Sequence, residues 1–406
     1  MVLVSSGSTQ LRSPALSSSK SETDCRSDEL AALAAAFDGI RDAVRADLGP
    51  GDAAYIRRVI AVQRGLEVAG RVVLFGSRRR SAFVAGATLL TLSKILENME
   101  IGHNVMHGQW DWMRDPRINS STWEWDTAST AASWKHAHNY MHHTYTNVVG
   151  KDRDLGYSAM RVEPSQPWHP VYLTQPIYGI AMAAVFEWGI ALYDMELGAV
   201  REGRKSRTEA RKELVAFATK ARRQLTKDYL VFPLLSGRAA RKALLGTLAA
   251  NVVRNLWVFT IVFCGHIPDG AVTFTEAQLE NESRGGWYVR QLLGSCNLDG
   301  SPLFHLMSGN LSFQIEHHLF PDIPSNRYAE IAPRVRAVCA RNGLPYSTGP
   351  LGRQYRSVVR KVLRLAFPGG GPRASKSQPS GRDRDRLSKL WHHPITRGPF
   401  GSGLDD

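Results

Sequence analysis

Cysteine is scarce and scattered in this chain. Its four cysteines, Cys25, Cys264, Cys296 and Cys339, lie far apart with no CxxC pair, so neither an iron–sulfur cluster nor a structural zinc framework is expected. A chain of 406 residues does not need disulfides, and a reducing cytoplasm fits. The glycine pattern GxGxxG is missing, which argues against a fused flavin or nicotinamide domain. No His-Pro-Gly-Gly segment occurs, so no haem-binding module is fused. HExxH, the helix motif of zinc hydrolases, is also missing. The first residues lack a basic stretch followed by an apolar core, so no secretory signal is expected. No run of 18 clean apolar residues exists, so a membrane span is not automatic.

The formal charge is +14. Nucleic acid, an anionic membrane or a phosphorylated ligand all fit that sign. Much of it sits in residues 201–227, which mix both signs and read as a solvated charged helix, and no nucleic-acid motif accompanies it. No nucleic-acid partner is therefore expected. Residues 1–27 are rich in Ser and Thr, and residues 368–406 in Gly, Pro, Ser and Arg. Neither stretch holds enough apolar surface to offset ordering entropy, so both read as disordered tails, the second one basic. The structured part is expected over 28–367.

Four segments come close to spanning length: 56–75, 81–101, 174–198 and 243–266. Polar residues inside them, such as Glu187, Asn251 and Arg254, are costly in lipid and usually face a functional interior. The fold expected is all-α: a membrane helical bundle under a helical cap formed by 104–173 and 267–367. A mean hydropathy of −0.25 agrees with a modest membrane portion. A soluble helical protein remains the alternative. Charge placement leaves the topology open, because Arg78-Arg79-Arg80 and the basic 201–227 stretch pull in conflicting directions.

Histidine is what the chain has in place of cysteine. Eight of the 13 histidines fall in three strings. The first is GHNVMHG, with His103 and His107. The second is HAHNYMHHTYTN, with His136, His138, His142 and His143. The third is FQIEHHLFP, with Gln314, His317 and His318. Spacings of three and four place side chains on one helix face. Neutral imidazole is the commonest metal ligand. Two of the apolar segments end on histidines, His103 and His266, which would set them at one membrane–water boundary.

Three boxes in this order resemble the membrane-bound fatty-acid desaturases, whose pattern is HxxxH, HxxxHH and [HQ]xxHH. The longer strings at 96–113, 121–126 and 314–327 are similar to actinobacterial stearoyl-CoA 9-desaturases in particular. The resemblance spans about residues 40–365. It implies a non-haem di-iron centre held by His103, His107, His138, His142, His143, His317 and His318, with His266 as an extra ligand at the end of its apolar segment. Gln314 stands where many desaturases carry His and is a further candidate. The front-end desaturases share this Gln, so an activity on an already unsaturated chain stays open. His136, His169, His305, His392 and His393 match no family ligand.

The implied reaction is O2-dependent insertion of a cis double bond into a fatty acyl-CoA, at carbon 9 of stearoyl- or palmitoyl-CoA. Removing hydrogen from an unactivated carbon is beyond a general base and calls for iron and O2, and imidazole suits iron. A ferritin-like carboxylate site needs two Glu-x-x-His motifs and two further Glu. Only Glu100–His103 has that spacing. Electrons would come from NADPH through a separate flavin and iron–sulfur reductase. A hydroxylase of the same histidine type, and a non-enzymatic membrane metal-binding or transport protein, are the alternatives. The protein is expected in the cell membrane with its site facing the cytoplasm.

Acidic residues near the boxes, Asp111, Glu124, Asp126, Asp152, Asp154 and Glu316, are candidates to orient imidazole N–H groups. The nearby aromatics Trp110, Trp112, Trp123, Trp125 and Tyr140 are candidate walls of an acyl tunnel. Lys151, Arg153, Arg161 and Arg327 are candidates for the CoA phosphates.

Overall fold

The computed structural model describes residues 22–369 apart from 153, 155, 157 and 158. The chain is about 70% helical, with one short parallel pairing of Asn297–Asp299 with Thr348–Pro350 as its two-stranded sheet. Residues 1–21 and 370–406, and with them most of both expected tails, lie outside the described residues, as does Arg153. One boundary moves: the first helix begins at Glu22, inside the stretch read as a tail.

That helix, Glu22–Ala46, buries Leu30, Leu33 and Phe37 in the cap core with Tyr288, Phe320 and Tyr328. Phe37 and Tyr288 meet at 5.1 Å between ring centroids. Asp38 accepts from the Tyr288 hydroxyl at 2.6 Å, tying the helix to Arg284–Leu293.

Two helices then form a hairpin, Pro50–Phe75 and Arg80–Leu96. They contain the expected segments 56–75 and 81–101. Their close approach depends on glycine. A Cβ on Gly70 would lie 2.8 Å from the Leu90 backbone nitrogen, and one on Gly86 2.9 Å from Leu74 Cγ. Helix Ala240–His266 lies across this hairpin, with Gly246 packed on Leu74. Among the described residues, Gly237–His266 is the one straight helical stretch long and apolar enough to cross a membrane.

The segment 174–198 is not one straight helix. It breaks at Val185 into Gln175–Ala184 and Phe186–Asp194, and the two arms of the pair bend by 96°. The break leaves backbone groups to satisfy, and Asn255 does so. Its amide donates to the Ala184 carbonyl at 2.9 Å, and its Oδ1 accepts from the Glu187 backbone at 3.4 Å. A side chain from a neighbouring helix thus replaces the lost intrahelical bonds, which is how broken helices are tolerated away from water.

Charged residues inside the bundle are paired. Asp228 accepts from Arg71 at 2.6 Å and from Lys94 at 2.8 Å, and Arg254 meets Glu187 at 2.6 Å. All five are buried.

Gly70→Val forces the hairpin apart, because the atoms in the way are backbone rather than a flexible side-chain tip. The expected loss is about 1–3 kcal/mol from overpacking, read as a lower thermal midpoint of the purified protein. An unchanged midpoint would show that the helices do not approach as closely as described.

Candidate metal centre

The histidine strings do not sit on plain α-helices. Glu97–His103 and Lys135–His142 are π-helical, with about one extra residue per turn. The expected α-helical spacing of the first two boxes is corrected accordingly: the widened turns, not α-helical faces, aim His103, His138 and His142. The third box is a short α-helix, Gln314–Leu319. His266 is the last residue of the long apolar helix. Gly265 beside it has no side chain because Gln314 packs there, 3.0 Å from where a Cβ would stand.

All eight predicted histidines converge. Ligand nitrogens of His103, His107, His138 and His317 lie within 4.8 Å of one another, and so do those of His142, His143 and His318. His266 joins the second group, its Nε2 3.2 Å from His318 Nε2. His103 and His317 face each other Nε2 to Nε2 at 3.3 Å, and His142 and His318 at 3.2 Å. Lone pairs opposed at that range repel unless a proton or a cation lies between them.

The outward nitrogens explain the orientation. His142 Nδ1 donates to Asp152 Oδ1 at 2.8 Å, and His138 Nδ1 is paired with Asp154. His318 Nδ1 donates to Gln291 Oε1 at 3.0 Å, and His266 Nδ1 to the Gly294 carbonyl at 3.3 Å. His317 Nδ1 meets the Tyr328 hydroxyl at 3.3 Å. Carboxylate and carbonyl partners demand an N–H on Nδ1, which leaves the lone pair on Nε2, facing inward.

Buried nitrogens without a protein partner mark where a ligand is wanted. They are Nε2 of His107, Nε2 of His138 and both ring nitrogens of His143. Burial holds His107, His138, His143, His317 and His318 well below the usual imidazole range, reinforced by neighbouring imidazoles, so they are neutral donors at pH 7. His142 is shifted the other way. Burial opposes its charge, but Asp152 and Asp154 outweigh it. The donor set fits a pair of nitrogen-loving transition metals.

Gln314 is placed differently. Its Nε2 lies 2.8 Å from His266 Nε2, so in this orientation its N–H group, not its oxygen, faces the centre, and Oε1 has no partner. His136 is exposed and stacks on Tyr140, and His305 Nδ1 contacts Ser312 at 2.7 Å. Neither joins the cluster.

The substrate candidates scatter. Trp110 is fully buried, stacked on Tyr55 in a core with Ile56 and Ile101, away from the histidines. Lys151 pairs with Glu276 at 2.9 Å. Arg161 is spent on the backbone carbonyls of Gln166, Pro164, Leu365 and Phe367, and Arg327 on Asp52. Trp125 does line a narrow cavity of about 70 Å³ that touches His103, His138 and His266. Trp134, stacked on His138 at 4.5 Å, and Phe186, Val258 and Val262 line it too. These were missed because helical spacing within the boxes says nothing of residues that arrive from other helices. Glu100 is a brace rather than a neighbour of the metal centre, accepting from Tyr55, Ser325 and Asn310.

A family model for fatty acid desaturase matches residues 80–350. A Mycobacterium tuberculosis protein named NADPH-dependent stearoyl-CoA 9-desaturase is 49% identical over 340 residues, covering 83% of this chain and 80% of the relative. A Synechocystis sn-1 linoleoyl-lipid 6-desaturase is 26% identical over 275 residues, 65% of this chain and 75% of that protein. The Bos taurus fatty acid desaturase 3 is 35% identical over 120 residues, 30% of this chain and 25% of the relative. The three boxes, the converged imidazoles and these matches lead to one conclusion: the chain belongs to the fatty acid desaturase family.

Proposed function

We propose that this chain is an O2-dependent desaturase that inserts a cis double bond at carbon 9 of stearoyl- or palmitoyl-CoA. The observation that carries the reading is the convergence of eight imidazoles into one buried cluster beside an apolar cavity. The carbon-9 position and the CoA carrier are supported by the relative at 49% identity.

Two irons would be held, one by His103, His107, His138 and His317, the other by His142, His143, His266 and His318. When bound, such a centre supplies the oxidising power of O2 needed to take two hydrogens from adjacent methylenes. The chain's own residues do the rest. Asp152, Asp154, Gln291 and the Gly294 carbonyl fix the imidazole tautomers and ring planes. Val258, Val262 and Phe186 present an apolar wall that orients an alkyl chain and excludes water.

Electrons would come from NADPH through a separate flavin and iron–sulfur reductase. The relative named NADPH-dependent supports the donor, and the missing GxGxxG supports its separateness. Membrane residence is supported by Gly237–His266 as a span and by the bent pair as a broken one. The histidine centre would then face the cytoplasm at the end of that span. A front-end activity is favoured by two observations, the Gln in box three and the linoleoyl-lipid 6-desaturase relative.

Feeding labelled stearate and linoleate separately to expressing cells, then locating the new double bond by mass spectrometry, tests the reading. A bond at carbon 9 of stearate is expected. A bond at carbon 5 or 6 of linoleate with stearate untouched would replace it with the front-end reading, and hydroxy acids without alkenes would defeat desaturation. Metal analysis should find about two irons per chain and little zinc. His107→Ala, His142→Ala and His318→Ala should each abolish product, whereas His136→Ala and His305→Ala should largely spare it. Equal loss at His136 would refute the assignment of the second box.

Asp152→Asn removes the charged acceptor behind His142. Iron retention against a chelator should weaken by about 10- to 100-fold. Retention equal to that of the unaltered protein would mean that Asp152 does not orient a ligand.

A further inference from the structure

The cavity beside the histidines follows one face of helix Ala240–His266. The residues of that helix that line it are His266, Val262, Val258 and Asn255. Their spacing of four, four and three keeps them in register down three turns, about 16 Å along the axis. The next residue of the stripe, Asn251, does not line it and is bonded to Asp228 and Tyr229. The channel therefore stops at Asn255.

What stops it is polar. Glu187 lines the cavity beside Asn255. It is 2.6 Å from Arg254 and accepts from Gln224 at 2.7 Å. Asn255 is committed to the broken helix at Ala184. Gln224, on the far side of Glu187, lines a second and larger cavity of about 520 Å³ that also presents Arg64, Glu67, Glu97 and Arg223. The rung formed by Asn255, Glu187 and Gln224 is a partition between an apolar channel and a charged one.

We propose that this rung is the closed end of the acyl channel, and that it limits the length of chain lying beyond the reacting carbons. The inference rests on the desaturase reading above. The methyl end is the part of an acyl-CoA that fits there. It brings no charge, and the rung's side-chain donors are engaged, Asn255 with Ala184 and Gln224 with Glu187, so the phosphates of a carrier would find only acceptors there. A longer chain would have to part Glu187 from its donors and push methylenes among charged groups. Removing one partner from a buried pair is strongly unfavourable, so the limit is sharper than a purely apolar floor would set.

The experiment is a competition among C14 to C22 saturated acyl-CoAs, using the full-length protein in lipid nanodiscs with an NADPH-linked reductase. Val258→Phe fills the channel two turns below His266. It should raise the C16-to-C18 product ratio by about tenfold or more, with the double bond at an unchanged distance from the carboxyl. Asn255→Ala shortens the rung and should raise the C20-to-C18 ratio. Should the Phe variant not fold, Val258→Leu should shift the ratio the same way by a smaller factor. Variants that scale every chain length equally, or that move the double bond, would overturn the closed end while leaving the desaturase reading intact. Unaltered protein that makes no alkene from any acyl-CoA would instead defeat that reading.

Discussion

Eight imidazoles packed into one buried volume repel each other unless something stands between them. Everything around the centre manages that constraint. Burial favours the neutral form of His107, His138, His143, His317 and His318, and protein acceptors hold the Nδ1–H of His138, His142, His266 and His318. The remaining lone pairs have one direction left, toward each other. A fold that merely tolerated histidines would point them at water or at hydroxyl groups, as it does His305 at Ser312. Here the protein satisfies the outward nitrogens of His138, His142, His266 and His318 and leaves Nε2 of His107 and His138 and both nitrogens of His143 bare, an arrangement that a pair of bound cations would stabilise and that their loss would destabilise.

The supports for this centre come from distant parts of the chain, which is why the helical bundle and the cap cannot be separated functionally. Asp152 and Asp154 follow the second box closely, but Gln291 and Gly294 come from the cap helix Arg284–Leu293 and its end. Tyr328, which contacts His317, begins another cap helix and also accepts from Gln109 at 3.0 Å. The helix Glu22–Ala46 packs against these same cap elements through Phe37 and Asp38. Loosening that outer layer would free the rings of His317 and His318 before it touched any ligand directly.

Much of the site was legible in the sequence because its chemistry is written in local spacing. The three boxes and His266 at the end of an apolar segment are near-neighbour patterns, and of the six acidic residues near the boxes only Asp152 and Asp154, just after the second box, reach an imidazole. His136 falls outside the register of the second box, and His305 matches no ligand position of the resembled family. What spacing could not show depends on tertiary contact. Gln291 and Trp134 carry no motif. The π-helical turns depend on hydrogen bonds that propensity does not encode. The break at Val185 has no proline or glycine to announce it, and is stabilised by Asn255 from another helix. Trp110 looked like a tunnel wall because it follows the first box, yet the turn after His107 carries it into the core beside Ile56.

The missing long apolar runs have a physical account in the same terms. A span that only had to cross lipid would be uniformly apolar. These helices carry Arg71, Lys94, Glu187, Asn251, Arg254 and Asn255 on their inner faces. Each is paired across helices, so the cost of burying it is offset by its partner and not by water. The outer faces remain apolar, with Val68, Val72, Ile177, Ile180 and Leu248 exposed. A hydropathy average mixes the two faces and falls, although the outer faces stay apolar. The polar residues that lower the average are those that pair across the helices and lock the hairpin, so the composition is a consequence of what the bundle has to enclose.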